Sequence, residues 1–156
     1  MKIEIGQKAP NFSLYSHDKK EVTLSGQREK NVLLLFFPLA FTSTCTRELC
    51  SVRDSIGFYN NVNAEVFGIS VDSMQTLNNF REEQHLNFTL LSDFNKEVSA
   101  AYGSLYDIFG LNMKGVSKRS AFVIDKSGIV RYAEVLENAG EVPNFEAIHK
   151  VLAALG

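Results

Sequence analysis

The sequence predicts an α/β protein: a central mixed β-sheet flanked by helices, with an N-terminal hairpin. Three observations carry this. Val32–Phe37, Ala64–Val71, Phe88–Leu91 and Ala121–Ile124 are short apolar runs of strand length. The stretches between the first three repeat apolar residues at helical intervals, and alternating strands and helices call for a sheet covered on both faces. The run at Ala121–Ile124 is followed by the turn Asp125-Lys126-Ser127-Gly128 and a second run, Ile129–Val135, which together make an antiparallel pair.

In chain order, Ala9-Pro10 favours extended backbone. Phe12 and Leu14 alternate with polar neighbours, His17–Lys20 is a polar turn, and Val22–Leu24 is the returning strand. The central strand Val32–Phe37 follows and stops at Pro38, which has no N–H to donate to a ladder. Thr42, Ser43 and Thr44 offer three N-caps in succession. One helix over Thr44–Tyr59 then carries Cys45, Leu49, Val52, Ile56 and Tyr59 on a single inward stripe, with Gly57 weakening its end. Ala64–Val71 is a buried strand; Asp72-Ser73 caps a helix over Met74–His85 with Leu77 and Phe80 inward. Phe88–Leu91 is a short strand closed by Ser92-Asp93. Lys96–Tyr102 is a short helix stopped by Gly103. Ser104–Lys118 reads as a long loop with about one helical turn, because Gly110 and Gly115 interrupt any period. Pro143-Asn144 opens the last helix, striped by Phe145, Ile148, Leu152 and Leu155. This order, with a cysteine at the first long helix, fits a thioredoxin-like architecture in one domain, 1–156.

Composition narrows the functional classes. The chain has 156 residues, 45% hydrophobic and 22% charged, as in an ordinary globular protein with a proper core. A net charge of −2 gives no support to nucleic-acid or anionic-membrane binding. MKIEIGQKAP has charges where a signal peptide needs an apolar segment, so a cytoplasmic location with reduced thiols is expected. Two cysteines without adjacent histidines make a poor zinc site. His17, His85 and His149 flank neither cysteine, so structural or surface roles are expected for them; neither metal nor cofactor is expected.

The chemistry concentrates in Val32–Cys50, VLLLFFPLAFTSTCTRELC. A strand, a proline turn and a hydroxyl cluster deliver Cys45 to the first turn of a helix. Unpaired N–H groups and the positive dipole end favour a negative charge there, and the thiolate is the reactive form of cysteine. An isolated cysteine is more often a buried core residue than a reactive one; here four features converge on one sulfur.

Pro38-Leu-Ala-Phe-Thr42-Ser-Thr-Cys45 resembles the Pro-x-x-x-Thr/Ser-x-x-Cys motif of the peroxiredoxins, and Arg119 in KRSAFVID matches that family's arginine before a late strand. GQKAPNFSL, GISVD, LLSD, AYG and DKSGIVR extend the resemblance over nearly the whole chain. The latter half is similar to the E-type alkyl hydroperoxide reductases. The Cys45-Thr-Arg-Glu-Leu-Cys50 spacing is similar to the Q-type, or bacterioferritin-comigratory, subgroup, whose resolving cysteine lies five residues along the same helix.

The resemblance implies that Cys45 reduces a peroxide and becomes a sulfenic acid. Arg119 would stabilise the thiolate and polarise the peroxide; as a bare arginine it would more often sit in a surface salt bridge. Thr42 has a donor and acceptors to bond sulfur and peroxide in turn, or serves as a simple N-cap. Pro38 would shape the pocket and limit water. Glu48, one turn beyond Cys45, would hold Arg119, or is an exposed helix glutamate. Phe36, Phe37 and Phe41 are candidates for an apolar pocket or for the core. Cys50 would resolve the sulfenic acid as an intramolecular disulfide; the alternatives are a one-cysteine peroxidase recycled by an external thiol, a thiol–disulfide oxidoreductase, or a redox sensor. The implied partners are a peroxide, a thioredoxin-like or other thiol reductant, and a second copy docked through Leu39–Phe41.

Overall fold

The computed structural model describes residues 2–156. Seven strands form one mixed sheet in the order β2-β1-β5-β4-β3-β6-β7. The hairpin β1 (Ser13–Ser16) and β2 (Glu21–Thr23) closes one edge, and β6 (Ser120–Ile124) with β7 (Val130–Val135) closes the other. Between them β3 (Asn31–Phe36), β4 (Ala64–Ser70) and β5 (Thr89–Ser92) run parallel to one another. The predicted strands are all present, with ends shifted by a residue or so. The expected alternation of strand and helix is also observed.

The unbroken apolar run at β3 follows from its place. Leu33, Leu35 and Phe37 enter one core with Leu49, Val52, Leu77, Phe80, Ile148 and Leu152. Val32, Leu34 and Phe36 enter a second core with Phe12, Val98, Tyr102 and Phe122 on the other face. A strand buried on both faces has no polar alternation. Truncating Leu35, which is fully buried, to alanine is therefore expected to cost about 2–5 kcal/mol. Gly68 in β4 marks a close approach: a Cβ there would lie 2.7 Å from a Leu90 methyl and 3.4 Å from the Phe37 ring.

The single helix predicted over Thr44–Tyr59 is two helices. α1 spans Ser43–Asp54 and α2 spans Ile56–Asn61. Ser55 leaves helical geometry at φ −109°, ψ 15°, and its N–H turns to the Val52 carbonyl. The apolar stripe continues across the break, which is why periodicity alone did not reveal it. α3 (Met74–Glu83) is capped by Ser73, whose hydroxyl accepts the Thr76 N–H at 3.2 Å. Asp72, expected to share that cap, instead reaches back to the loop after β3.

α4 (Glu97–Ala101) ends as predicted at Gly103, φ +65°. The Gly103 and Ser104 N–H groups return to the Ala100 and Ser99 carbonyls, the paired bonds of a Schellman stop. The 104–118 segment is a loop with one short 3₁₀ turn at Gly110–Asn112. Its base is tied by Ser99–Ser117 and Ser104–Ser120 hydroxyl pairs at 2.7 and 2.9 Å. Lys118 also donates its backbone N–H to the Ser104 carbonyl. This clamp delivers Arg119 to the start of β6. α5 (Phe145–Leu155) begins at the Asn144 cap, and Ile148 and Leu152 are its buried stripe. Among the described residues no helix is long and apolar enough to cross a membrane.

Candidate active site

The site lies where β3 ends, beyond the C-terminal edge of the three parallel strands, the usual ligand end of such a sheet. Pro38 is buried and ends the ladder there. The Leu39–Thr42 loop is held in an unusual shape: Phe41 has φ +68°, a left-handed conformation that disfavours a bulky side chain. Three contacts hold it. Asp72 Oδ2 accepts the Ala40 N–H at 2.8 Å, the Thr42 hydroxyl donates to the Leu39 carbonyl at 2.8 Å, and the Phe41 ring packs 5.1 Å from that of Phe80. Asp72 also takes the Ser70 hydroxyl at 2.6 Å.

Thr42 is the residue before α1, and its backbone is extended. Its side chain does not cap the helix and is committed to the Leu39 carbonyl instead. The first-turn N–H groups next to Cys45 are thereby left without a side-chain cap, which keeps the positive end of the helix open to an anion.

Cys45 lies on the sheet-facing side of α1, fully buried. Its sulfur receives a hydrogen bond from Arg119 Nη2 at 3.1 Å. Arg119 Nη1 donates to Glu48 Oε1 at 2.7 Å, and both of these side chains are out of water. Helical spacing explains the triangle: Cys45 and Glu48 are three apart and share one face of α1, and β6 brings Arg119 against that face. Arg119 also donates from Nε and Nη2 to one acceptor, the Ala139 carbonyl, at 3.1 and 2.9 Å.

Burial pushes the Glu48 carboxyl up to about 7 against the pull of Arg119. Its second oxygen, Oε2, is buried with no hydrogen-bond partner, so nothing there favours the ionised form. Burial draws the Arg119 guanidinium down, but Glu48 and the Cys45 sulfur outweigh it and leave it above its ordinary value. A permanent cation thus sits on a sulfur in a low-dielectric pocket.

The structure brings together Cys45, Arg119 and Glu48, with Pro38 and Thr42 in the adjoining loop. It does not bring in Cys50. That residue is half-buried on α1, and its sulfur faces Gln84 Oε1 at 3.6 Å; both cysteines are free thiols. Phe36 and Phe37 belong to the two cores, and of the three aromatics considered Phe41 alone stands at the surface. No histidine is hydrogen-bonded to the Cys45, Glu48 or Arg119 side chains: His149 Nε2 pairs with the Tyr59 hydroxyl at 3.0 Å, and His17 Nδ1 receives the Leu90 N–H. Among the described residues no cluster of metal-ligating side chains is found. Two elements of the site were not expected from the sequence, the Asp72 anchor and the Ala139 carbonyl. An aspartate before a helix reads as a cap, and a backbone carbonyl leaves no mark on composition.

Residues 5–133 match the sequence profile of the AhpC/TSA family. Alkyl hydroperoxide reductase E of Mycobacterium tuberculosis is 39% identical over 156 residues, covering 98% of each chain. The chloroplastic peroxiredoxin Q of Triticum aestivum is 39% identical over 131 residues, 84% of this chain and 58% of that protein. Among solved structures, peroxidoxin BcpB of M. tuberculosis superposes with a TM-score of 0.87 at 28% identity, over 99% of both chains.

Proposed function

Because the chain belongs to the AhpC/TSA family, the peroxiredoxins, and is a thiol-dependent peroxidase acting on a peroxide with a thiol reductant, we propose that Cys45 is its peroxide-reducing sulfur and Arg119 its electrostatic partner. The observation that carries this is the 3.1 Å hydrogen bond from a buried guanidinium to a buried sulfur. The Cys45 thiolate attacks the terminal oxygen of ROOH. The O–O bond breaks, an S–O bond forms, and the departing alkoxide takes up a proton, giving Cys45-SOH and ROH. Arg119 stabilises the thiolate and then the charge developing on the departing oxygen. The open N–H groups of the first turn of α1 add donors of the same kind. Pro38 walls the pocket from water. Thr42 turns its hydroxyl from the Leu39 carbonyl to the peroxide once substrate enters. Glu48 holds Arg119 in register with the sulfur.

In the second half of the cycle, Cys50 attacks Cys45-SOH, releasing water and forming an internal disulfide that a thioredoxin-like dithiol reduces. The five-residue spacing and the similarity to a Q-type relative support this. A second reading rests on the orientation of Cys50 toward Gln84 within an intact helix: an external thiol attacks the sulfenic acid directly. The half-exposed Phe41 supports a homodimer joined through the Leu39–Phe41 loops. Rapid mixing of the reduced protein with hydrogen peroxide and with organic hydroperoxides, followed by mass spectrometry of both cysteines, tests the whole scheme. Oxygen arriving first at Cys45 is the expected result, and first arrival at Cys50 refutes it.

A further inference from the structure

We propose that Asn138, an exposed residue in the turn after β7, is a positioning residue for the buried Arg119. This deepens the reading of Arg119 given above and rests on it. A guanidinium has five N–H donors. Here one Nη2 N–H goes to the sulfur and one Nη1 N–H to Glu48, while Nε and the other Nη2 N–H both go to the Ala139 carbonyl. That carbonyl therefore receives more of the arginine's hydrogen bonds than any other acceptor, and it belongs to a surface turn.

Its direction is set from outside. Ala139 C=O and Gly140 N–H belong to the same planar trans peptide unit, so they point in opposite directions. Asn138 Oδ1 accepts the Gly140 N–H at 2.9 Å, and the Asn138 carbonyl accepts the Glu141 N–H at 3.1 Å. The asparagine side chain thus fixes one end of the peptide plane, and the other end faces Arg119. An asparagine closing a turn on the N–H two residues ahead is common. The distinctive feature is what lies on the opposite side of that peptide. If the Asn138 bond is lost, the plane can rotate, and the two hydrogen bonds that hold the guanidinium edge against Cys45 weaken with it. Glu48 is then the one contact left besides the sulfur itself, and the guanidinium can swing about it.

The test is the second-order rate constant of Cys45 oxidation in Asn138→Ala, Asn138→Asp, Arg119→Met and the double variant Asn138→Ala/Arg119→Met. Asn138→Ala is expected to slow oxidation roughly fivefold, the equivalent of one ordinary hydrogen bond, and Asn138→Asp, which keeps the acceptor, is expected to recover the rate to within about twofold. The decisive measurement is the background. If Asn138 acts through Arg119, its truncation has no further effect once Arg119 is methionine. A turn of merely structural importance would slow both backgrounds equally, and that result overturns the proposal. So does an Asn138→Ala rate equal to wild type while Arg119→Met is slow. An unimpaired Arg119→Met variant overturns this proposal together with the reading of Arg119 beneath it. Gly140→Ala probes the same bond from its other partner, since the added methyl would stand 3.2 Å from Asn138 Oδ1. It is expected to slow oxidation in the same direction, and a wild-type rate in a folded Gly140→Ala variant overturns the proposal.

Discussion

Glu48 and Arg119, 71 residues apart in sequence, meet at 2.7 Å with both side chains out of water. A buried pair of this kind contributes modestly as a pair but strongly resists the loss of one member. Glu48→Ala leaves the cation without its carboxylate, and we expect a stability loss of roughly 3–5 kcal/mol in chemical denaturation.

The same glutamate sets a pH dependence. Its carboxyl is raised from 4.5 to about 7 in the folded chain. Below 4.5 both folded and unfolded states hold the proton, and the group contributes nothing to the slope. Between 4.5 and 7 the folded state keeps the proton and the unfolded state has lost it, so stability falls as pH rises and levels off above 7. The stability of wild type relative to Glu48→Gln should therefore fall across the window by on the order of 3 kcal/mol, read from denaturation curves at a series of pH values. Parallel curves would show that burial does not hold the proton on Glu48.

Cys45→Ser is expected to abolish peroxide reduction while leaving the circular dichroism spectrum unchanged, because the proposed mechanism places the chemistry on this one sulfur. Arg119→Met should slow Cys45 oxidation by at least about tenfold, since a preorganised donor at a developing charge is worth several kcal/mol. Stopped-flow oxidation with a peroxide series reads both.

Cys45 and Cys50 both lie within α1. Five residues of helix turn about 140° and rise about 7.5 Å, placing the Cα atoms roughly 8–9 Å apart. A disulfide needs them within about 7 Å. Oxidation by one equivalent of peroxide should therefore yield a Cys45–Cys50 linkage together with loss of helical signal. Peptide mapping of wild type and Cys50→Ser checks this. Normal turnover of Cys50→Ser with thioredoxin, and no internal linkage in wild type, would establish the one-cysteine cycle.

Asp72→Ala removes the acceptor of the Ala40 N–H and the Ser70 hydroxyl. The left-handed Phe41 conformation then loses one of its three supports. We expect a stability loss of about 1–3 kcal/mol and slower peroxide reduction. Thermal unfolding and oxidation rates separate the two effects.

The fold was largely legible because its strongest signals are local. A six-residue apolar run ended by Pro38, a glycine stop at Gly103 and a turn at Asp125–Gly128 each declare themselves within a few residues. Cys45 and Arg119 were legible through motif and position. What stayed hidden is non-local or lies in the backbone. Ser55 breaks a helix without breaking its stripe. Thr42 stands at the cap position yet spends its hydroxyl elsewhere. Asp72 bonds a residue 32 positions earlier. Glu48 reads equally as a solvent-facing glutamate until Arg119 is placed beside it.

The interruption at Ser55 sets a limit on the opening that the proposed Cys45–Cys50 linkage requires. Helical hydrogen bonds melt cooperatively along a continuous segment, so a helix running unbroken to Asn61 would tend to fray far past Cys50. Here the ladder is already cut after Asp54. α2 keeps its own packing, with Tyr59 buried in the core and bonded to His149. In the proposed disulfide cycle the cut acts as a firebreak: α1 would open to let its two sulfurs meet while the Tyr59 side of the core stays closed, and the segment to refold would be the dozen residues of α1 at most.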